Sequence, residues 1–335
     1  MHVLPEAHPL GGTERTVLDL LESPQLADLD QRVAFAGRVQ NREFPPEAVL
    51  APRGTGAGAL AVAGMRPAVV HGWLLRGNLA GGLAKARRPS TPLVTSERNL
   101  GHTLTPAKRA LERVVAAVED VATANSAAVR DAAVARLPRR EKTFRVILPG
   151  VAAPPQPARL QPSDCLMVGR LHPVKDHATA LRAWALVRER LPGAVLAVVG
   201  EGPERPSLEA LGRELDLGEG LRLVGGAEPA PWLHGARTFL SASSAEGFSR
   251  SLLEALACGL PSVATAVGGT RELPAGAVRS VPPGEPRAMA DALLVLLEEG
   301  TARDRAAAAA RGAAEALSPS ACHASYRALY AELGA

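Results

Sequence analysis

The chain has 335 residues, 47% hydrophobic and 21% charged, the make-up of a globular protein and not of a disordered or collagenous one. Ten aromatic residues (Trp 3, Tyr 2, Phe 5) are too few for the stacking platforms that hold single-stranded nucleic acid, so no nucleic-acid partner is expected. The formal charge of +4 is uneven: residues 1–150 carry 20 basic and 14 acidic side chains and residues 151–335 carry 18 and 20, which makes the first half the one that favours anionic partners. Three dispersed cysteines, Cys165, Cys258 and Cys322, give neither a disulfide framework nor a metal-binding pair, and point to a reducing cytoplasm. The opening Met1-His-Val-Leu-Pro is not a secretory signal, and no apolar run reaches the roughly 18–20 residues of a membrane span.

A length beyond about 250–300 residues implies two cores. Short apolar runs alternate with amphipathic ones, the pattern of βαβ units and a parallel sheet. In the first half, a very short opening strand at His2-Val-Leu is followed by a helix that begins at Pro9-Leu-Gly-Gly-Thr-Glu-Arg. Further strands are expected at 33–36, 68–71, 93–96, 121–124 and 144–148. The Pro-rich run 149–157 has no periodicity and reads as the linker. Beyond it the alternation is clearer: strands at 165–168, 194–199, 221–224, 238–241 and 262–265, and helices at 177–190, 206–215, 249–258, 286–299, 302–317 and 320–333.

Three groups of residues carry chemistry. Gly169-Arg-Leu-His-Pro-Val-Lys-Asp joins a strand to a helix, where doubly wound sheets take ligands. Arg170 offers a bidentate fork and Lys175 a point charge, a pair suited to a diphosphate. Lys175 stands out because the chain has 34 arginines and four lysines, of which Lys175 is the only one after residue 142. The second group is Ser243-Ser-Ala-Glu-Gly-Phe-Ser-Arg-Ser-Leu-Leu-Glu-Ala-Leu-Ala-Cys-Gly-Leu-Pro. Here Glu246 lies in a loop, Ser249 is placed to cap a helix whose free amides suit a phosphate, and Glu254 sits in an apolar run where it must find partners such as ribose hydroxyls. The competing reading is a capping box, Ser251-x-x-Glu254, with Glu246 an exposed loop carboxylate. The third group is Gly11-Gly12, whose backbone amides can approach a ligand closely; Gly200-Glu-Gly-Pro, Val267-Gly-Gly and Gly81-Gly read as turns. No metal site is expected: the eight histidines include no HExxH, and Asp28-Leu-Asp precedes a strand.

Gly169-Arg-x4-Lys, Gly200-x-Gly-Pro, Glu246-Gly-Phe-x5-Leu-Glu254-Ala-x-Ala-Cys-Gly-x-Pro and Val267-Gly-Gly-x2-Glu272, in that order, resemble the retaining glycosyltransferases of family 4 (glycosyl transferases group 1). The match is close over about 163–300 and looser at Gly11-Gly-Thr-Glu-Arg, Asn78-Leu-x-Gly-Gly-Leu-Ala, Ala124-Asn-Ser and Leu148-Pro-Gly-Val. The resemblance implies an α/β GT-B fold, two doubly wound Rossmann-like domains facing a cleft. Residues 1–152 would form the acceptor-side domain and 153–317 the nucleotide-sugar donor domain, with 318–335 a helix crossing back to the first domain.

It further implies transfer of a sugar from an NDP-sugar, a co-substrate and not a cofactor, with retention and without metal. Arg170 and Lys175 would bind the diphosphate, Glu254 the ribose and Glu246 the donor sugar. The amides of Gly247, Phe248 and Ser249 would face sugar and phosphate, Val224 would border the base, and Gly11 and Gly12 would approach from the first domain. Where many relatives carry a histidine beyond the strand at 93–95, this chain reads Ser96-Glu-Arg-Asn, which leaves Arg98, Asn99 and His71 as acceptor-side candidates. The acceptor expected is a lipid-linked or cell-surface glycan precursor. The site of work expected is the cytoplasm, with peripheral contact to an anionic membrane through Lys108, Arg109, Arg113 and the cluster Arg136, Arg139, Arg140, Lys142, Arg145. The alternatives are a nucleotide-sugar epimerase or hydrolase of the same fold, and a non-catalytic nucleotide-sugar-binding protein.

Overall fold

The computed structural model describes residues 1–5, 11–37, 44–45, 49–50, 55–101 and 105–335. They form two compact units, the first comprising 1–150 with 319–335 and the second 151–318. The first unit runs β1 (His2–Leu4), α1 (Gly12–Leu21), β2 (Val33–Phe35), β3 (Val49–Leu50), α2 (Thr55–Gly64), β4 (Val70–Trp73), α3 (Leu74–Arg87), β5 (Leu93–Glu97), α4 (Pro106–Ala116), β6 (Val121–Ala124), α5 (Ala127–Arg136) and β7 (Phe144–Val146). The second runs β8 (Ser163–Val168), α6 (His177–Arg190), β9 (Leu196–Val199), α7 (Arg205–Glu214), β10 (Leu221–Gly225), α8 (Ala230–Leu233), β11 (Ala236–Ser241), α9 (Arg250–Ala257), β12 (Ser262–Thr265), β13 (Arg279–Val281), α10 (Pro286–Glu298) and α11 (Gly300–Ala316). The closing helix α12 (Pro319–Glu332) belongs to the first unit.

Both sheets are parallel, ordered β3-β2-β1-β4-β5-β6-β7 and β10-β9-β8-β11-β12-β13. This is the doubly wound α/β plan, in which the strand order reverses at one point and the carboxyl ends of all strands share one edge. Sheets covered by helices on both faces need apolar residues in succession. In β8, Cys165 and Met167 pack with Trp184 and Leu293 on one face, while Leu166 packs with Phe239 and Leu252 on the other. Trp184, fully buried, satisfies its indole N–H by donating to Gly220 O at 2.9 Å.

The opening strand expected as a stub is three residues long but central, paired with β2 on one side and β4 on the other, and every residue in it is buried. Beside it, α3 corrects the reading of Gly81-Gly as a turn. Gly77, Gly81 and Gly82 lie inside that helix, and a Cβ at Gly77 would come within 2.2 Å of Val3 O. One at Gly81 would meet Leu93 at 2.8 Å. Glycine lowers the intrinsic preference for helix, but here it lets the helix lie directly on the sheet. On that premise Gly77→Ala is expected to lower the stability of the first unit by at least about 1–3 kcal/mol, read from urea denaturation followed by hydrogen exchange of peptides from residues 1–150.

Candidate functional site

In the second sheet the strand order reverses between β8 and β11, and the loops leaving these two strands are tied together. Ser244 N and Oγ both donate to Val174 O, at 2.9 and 3.2 Å. Across this junction the Lys175 ammonium forms an ion pair with Glu246 Oε1, and Ser243 Oγ donates to the same oxygen at 3.0 Å. The pair is three-quarters or more shielded from solvent, with side-chain exposures of 23% and 16%. Arg170 is exposed on the β8 loop, and Asp176, in the left-handed region at φ 46°, caps α6 by accepting from Thr179 N at 3.2 Å. The next residue, His177, is buried; that burial, reinforced by the Lys175 charge, lowers its pKa to about 4, so the ring is neutral at pH 7.

Helix α9 starts at this edge. Ser249 is its N-cap residue but corrects the capping expectation: its side chain makes no cap bond and instead lies 3.4 Å from Ser251 Oγ. The alternative capping box also fails, because Ser251 is the second residue inside the helix. The start of α9 thus receives no cap bond from the Ser249 side chain, and the positive end of the helix dipole faces this edge, where it suits an anion. Glu254, in the otherwise buried run Leu252–Leu256, is met by Arg250 Nε at 3.1 Å. Gly247 is buried with its carbonyl accepting from Gly269 N at 2.8 Å, and Phe248 packs over Gly269. Gly268, at φ 48°, allows this packing, since a Cβ there would overlap Glu246 O at 1.8 Å. Val224 is half-buried near the end of β10. It lies two strands from β8, or ~10 Å sideways at the usual strand spacing.

The first unit places its candidates differently. Pro9 and Leu10 of the glycine motif lie outside the described residues, as does Gln40. Gly11 is the N-cap residue of α1, and its amide donates to Glu14 Oε2 at 3.0 Å, so one of the two amides expected to meet a ligand is already bonded; Gly12 is exposed. Arg98 lies over the Trp73 ring at 5.7 Å and donates to Thr16 Oγ1 at 3.1 Å. Asn99 is exposed, with its Oδ1 accepting from Gly101 N at 3.0 Å.

His71 corrects the acceptor-side expectation. It is 1% exposed, with Nδ1 2.7 Å from Tyr330 OH, Nε2 2.8 Å from Ser96 Oγ and its ring stacked on Trp73. A ring so enclosed fastens α12 to β4 and β5 instead of meeting a substrate. Of the wider basic cluster, the side chains of Arg139 and Arg140 lie outside the description.

Residues 162–299 match the family glycosyl transferases group 1. Over these residues the chain resembles that family. Among its relatives, the N-acetylgalactosamine-N,N'-diacetylbacillosaminyl-diphospho-undecaprenol 4-alpha-N-acetylgalactosaminyltransferase of Campylobacter jejuni is 40% identical over 110 residues, 32% of this chain and 29% of that protein. The D-inositol 3-phosphate glycosyltransferase of Frankia alni is 38% identical over 163 residues, 44% of this chain and 40% of that one. The chain thus spans less than half the length of these curated relatives. Among solved structures, Anabaena HepE in complex with UDP superposes with a TM-score of 0.86 at 18% identity, over 99% of both chains. Sucrose-phosphate synthase from Thermosynechococcus elongatus gives 0.79 at 19%, again over 99% of both. At such identities the likeness speaks for the fold, which is GT-B.

Two residues of the candidate site in the second unit escape the sequence reading, Arg250 and Ser243. Their signals are short-range and easily passed over: Arg-x3-Glu places Arg250 one helical turn from Glu254, and Ser243 stands three residues before Glu246. Among the described residues no three His, Cys, Asp or Glu side chains are grouped to hold a metal, and no helix is long and apolar enough to cross a membrane.

The buried histidines of the first unit set an acid limit on its stability. Burial and the nearby amino terminus lower the His2 pKa to about 3, and burial holds His71 well below its usual value. Between about pH 6.5, where an unfolded histidine titrates, and about pH 3, the unfolded chain binds protons that the folded unit refuses. Stability contributed by neutral rings is complete above that window and falls as pH drops through it. Urea midpoints taken at pH 7.5 and pH 5 are expected to be lower at the acid value, and His71→Gln is expected to flatten the slope.

Proposed function

We propose that this protein transfers a glycosyl group from a nucleoside-diphosphate sugar to an acceptor, with retention of anomeric configuration and with cationic side chains meeting the diphosphate in place of a metal. The observation that carries the reading is the meeting of Lys175 with Glu246 at the point where the second sheet reverses, beside the uncapped start of α9. Ligands of doubly wound sheets bind at that point. Support comes from the family match over 162–299 and from HepE, whose structures hold UDP, UDP with glucose, and UDP-glucose. The Campylobacter relative, named for a diphospho-undecaprenol acceptor, supports a lipid-linked or glycan acceptor; the site of work in this reading is the cytoplasm, at the inner face of the membrane.

In this reading the donor diphosphate is held by Arg170, Lys175 and the amides of Gly247, Phe248 and Ser249 at the start of α9. Fixed positive groups of this kind stabilise the charge that grows on the departing diphosphate, commonly the largest single contribution to catalysis. Glu254, oriented by Arg250, takes the ribose hydroxyls, and Val224 borders the base. Glu246 takes hydroxyls of the transferred sugar, with Ser243 and Lys175 fixing its carboxylate. Gly12, Arg98 and Asn99, at the carboxyl edge of the first sheet, are the acceptor-side residues; His71 has no part in contact.

Calorimetric titration with UDP, GDP and ADP tests the donor site. One nucleotide is expected to bind at micromolar Kd, equally with Mg²⁺ and with EDTA, and Lys175→Ala is expected to abolish that binding. Failure of all three nucleotides, or binding that survives Lys175→Ala, overturns the assignment. Glu246→Gln is expected to keep nucleotide affinity while lowering kcat about 10²–10³-fold, measured as nucleotide release with acceptor present. Release that is fast without any acceptor would instead mark a hydrolase.

A further inference from the structure

We infer that Arg205 is a positioning residue for the nucleotide base, which it serves by clamping a bulge at the end of β10 and so aiming Val224. The inference rests on the donor-site reading above. Strand β10 stands at the edge of the second sheet, beside β9. Along this pair Leu221 is matched with Leu196, Arg222 with Ala197 and Leu223 with Val198, but the next residue of β9, Val199, is matched with Gly225. Val224 is therefore the extra residue of a β-bulge. Bulges re-aim a side chain, and they recur at sheet edges and beside active sites. They also interrupt the ladder, so the backbone groups around the bulge need bonds from outside it to keep one shape.

The carbonyls on either side of Val224 are both held. Gly225 O accepts from Gly200 N at 2.8 Å and from Ala227 N at 2.9 Å, while Leu223 O accepts from Arg205 Nη2 at 3.0 Å. Gly225 itself, at φ 91°, has no room for a side chain: a Cβ would stand 2.7 Å from Glu201 Oε1. The placement of Arg205 is against the local electrostatics. It is the first residue of α7, where the helix dipole is positive and a cation is disfavoured. Two carboxylates, four residues to either side, offset this: Arg205 Nε donates to Glu209 Oε1 at 3.0 Å, and Nη1 lies 3.4 Å from Glu201 Oε1. Held at three points, the planar guanidinium has a fixed direction, which the point charge of a lysine would lack.

The diphosphate side of the site is secured by other means. The loop after Arg170 is joined to 200–204 through the backbone, Leu171 N donating to Glu201 O at 2.9 Å and Glu204 N to Leu171 O at 3.2 Å. Gly202 packs directly on that backbone, since a Cβ there would come within 2.2 Å of Leu171 O. Lys175 is fixed by Glu246, and the start of α9 follows β11, three strands from β10. Removing the Arg205 guanidinium therefore loosens Val224 and leaves the groups assigned to the diphosphate in place. Nucleotide and bare diphosphate are thus predicted to respond differently to the same substitution.

The test is calorimetric titration of the full chain, as wild type, Arg205→Ala and Arg205→Lys, with whichever of UDP, GDP and ADP binds best, followed by displacement of that nucleotide with inorganic pyrophosphate. Arg205→Ala is expected to weaken the nucleotide about tenfold, the size of one well-placed hydrogen bond to a charged group, and to leave the pyrophosphate constant unchanged. Arg205→Lys, which keeps one donor for Leu223 O, is expected to recover part of the loss and, should Arg205→Ala not fold, to show the same split at smaller size. A residue that only supported the fold would weaken both ligands together. Equal weakening of both, or a nucleotide affinity that Arg205→Ala leaves unchanged, overturns the inference. A wild type that binds no nucleotide, or one whose nucleotide pyrophosphate does not displace, overturns the donor-site reading instead.

Discussion

The arrangement of the second unit depends on one constraint, that a parallel sheet wound in both directions from β8 and β11 must open where the two directions part. Loops leaving adjacent parallel strands on opposite courses cannot cover the gap between them. The chain bridges it with polar groups: Ser244 bonded to the backbone of Val174, and Lys175 paired with Glu246. The glycines around it serve the same constraint. Gly200 lies so close to Gly169 that a Cβ would overlap its carbonyl at 1.9 Å, and Gly268 approaches Glu246 in the same way. The small residues bring backbones together, so that the charged ones have a fixed frame.

Charge at this edge differs in kind from charge elsewhere on the molecule. Arg190–Glu298 and Arg32–Asp30 are pairs with at least one largely exposed member, where solvent screens most of the attraction. Lys175–Glu246 and Arg250–Glu254 are mostly shielded, and breaking either by removing one partner would leave a poorly solvated charge. Such pairs hold both members in definite positions. That is the property a site for a charged ligand needs, because the groups do not have to be ordered when the ligand arrives.

Much of this was readable in the residues. Helix α6 was expected at 177–190 and found there, since its apolar residues Ala180, Leu181, Trp184 and Val187 repeat at helical spacing. Strand 262–265 was equally clear. The parallel α/β plan was legible because strand-helix alternation is regular after residue 162, and the GT-B fold because the motifs between Gly169 and Glu272 resemble those of the family 4 glycosyltransferases. Helices α2 and α3 were not read; in α3, Gly81-Gly suggests a turn, whereas Gly77 and Gly81 are packing surfaces against Val3 and Leu93. Strand β3 has two residues, too few for any period, and β13 has three. His71 illustrates the limit of reading a polar residue near a strand end: sequence cannot tell a ring that meets substrate from one bonded on both nitrogens to Ser96 and to Tyr330, 259 residues away. Glu246 and Glu254 were legible as a pair, but Arg250 gained its meaning only once its guanidinium was seen on Glu254.

Helix α12 closes the first unit with residues from the far end of the chain, including Tyr326 and Tyr330 in its aromatic core. The second unit, by contrast, is one uninterrupted stretch, 151–318. During synthesis the order of completion is therefore the reverse of the order of translation. Residues 1–150 emerge first but must wait, with the hydrophobic groove for Tyr326, Leu329 and Tyr330 open, while the second unit is made and can fold. Only when 319–335 have left the ribosome does the first unit acquire its full core. Until then the nascent first half is the part of the protein that a chaperone would recognise.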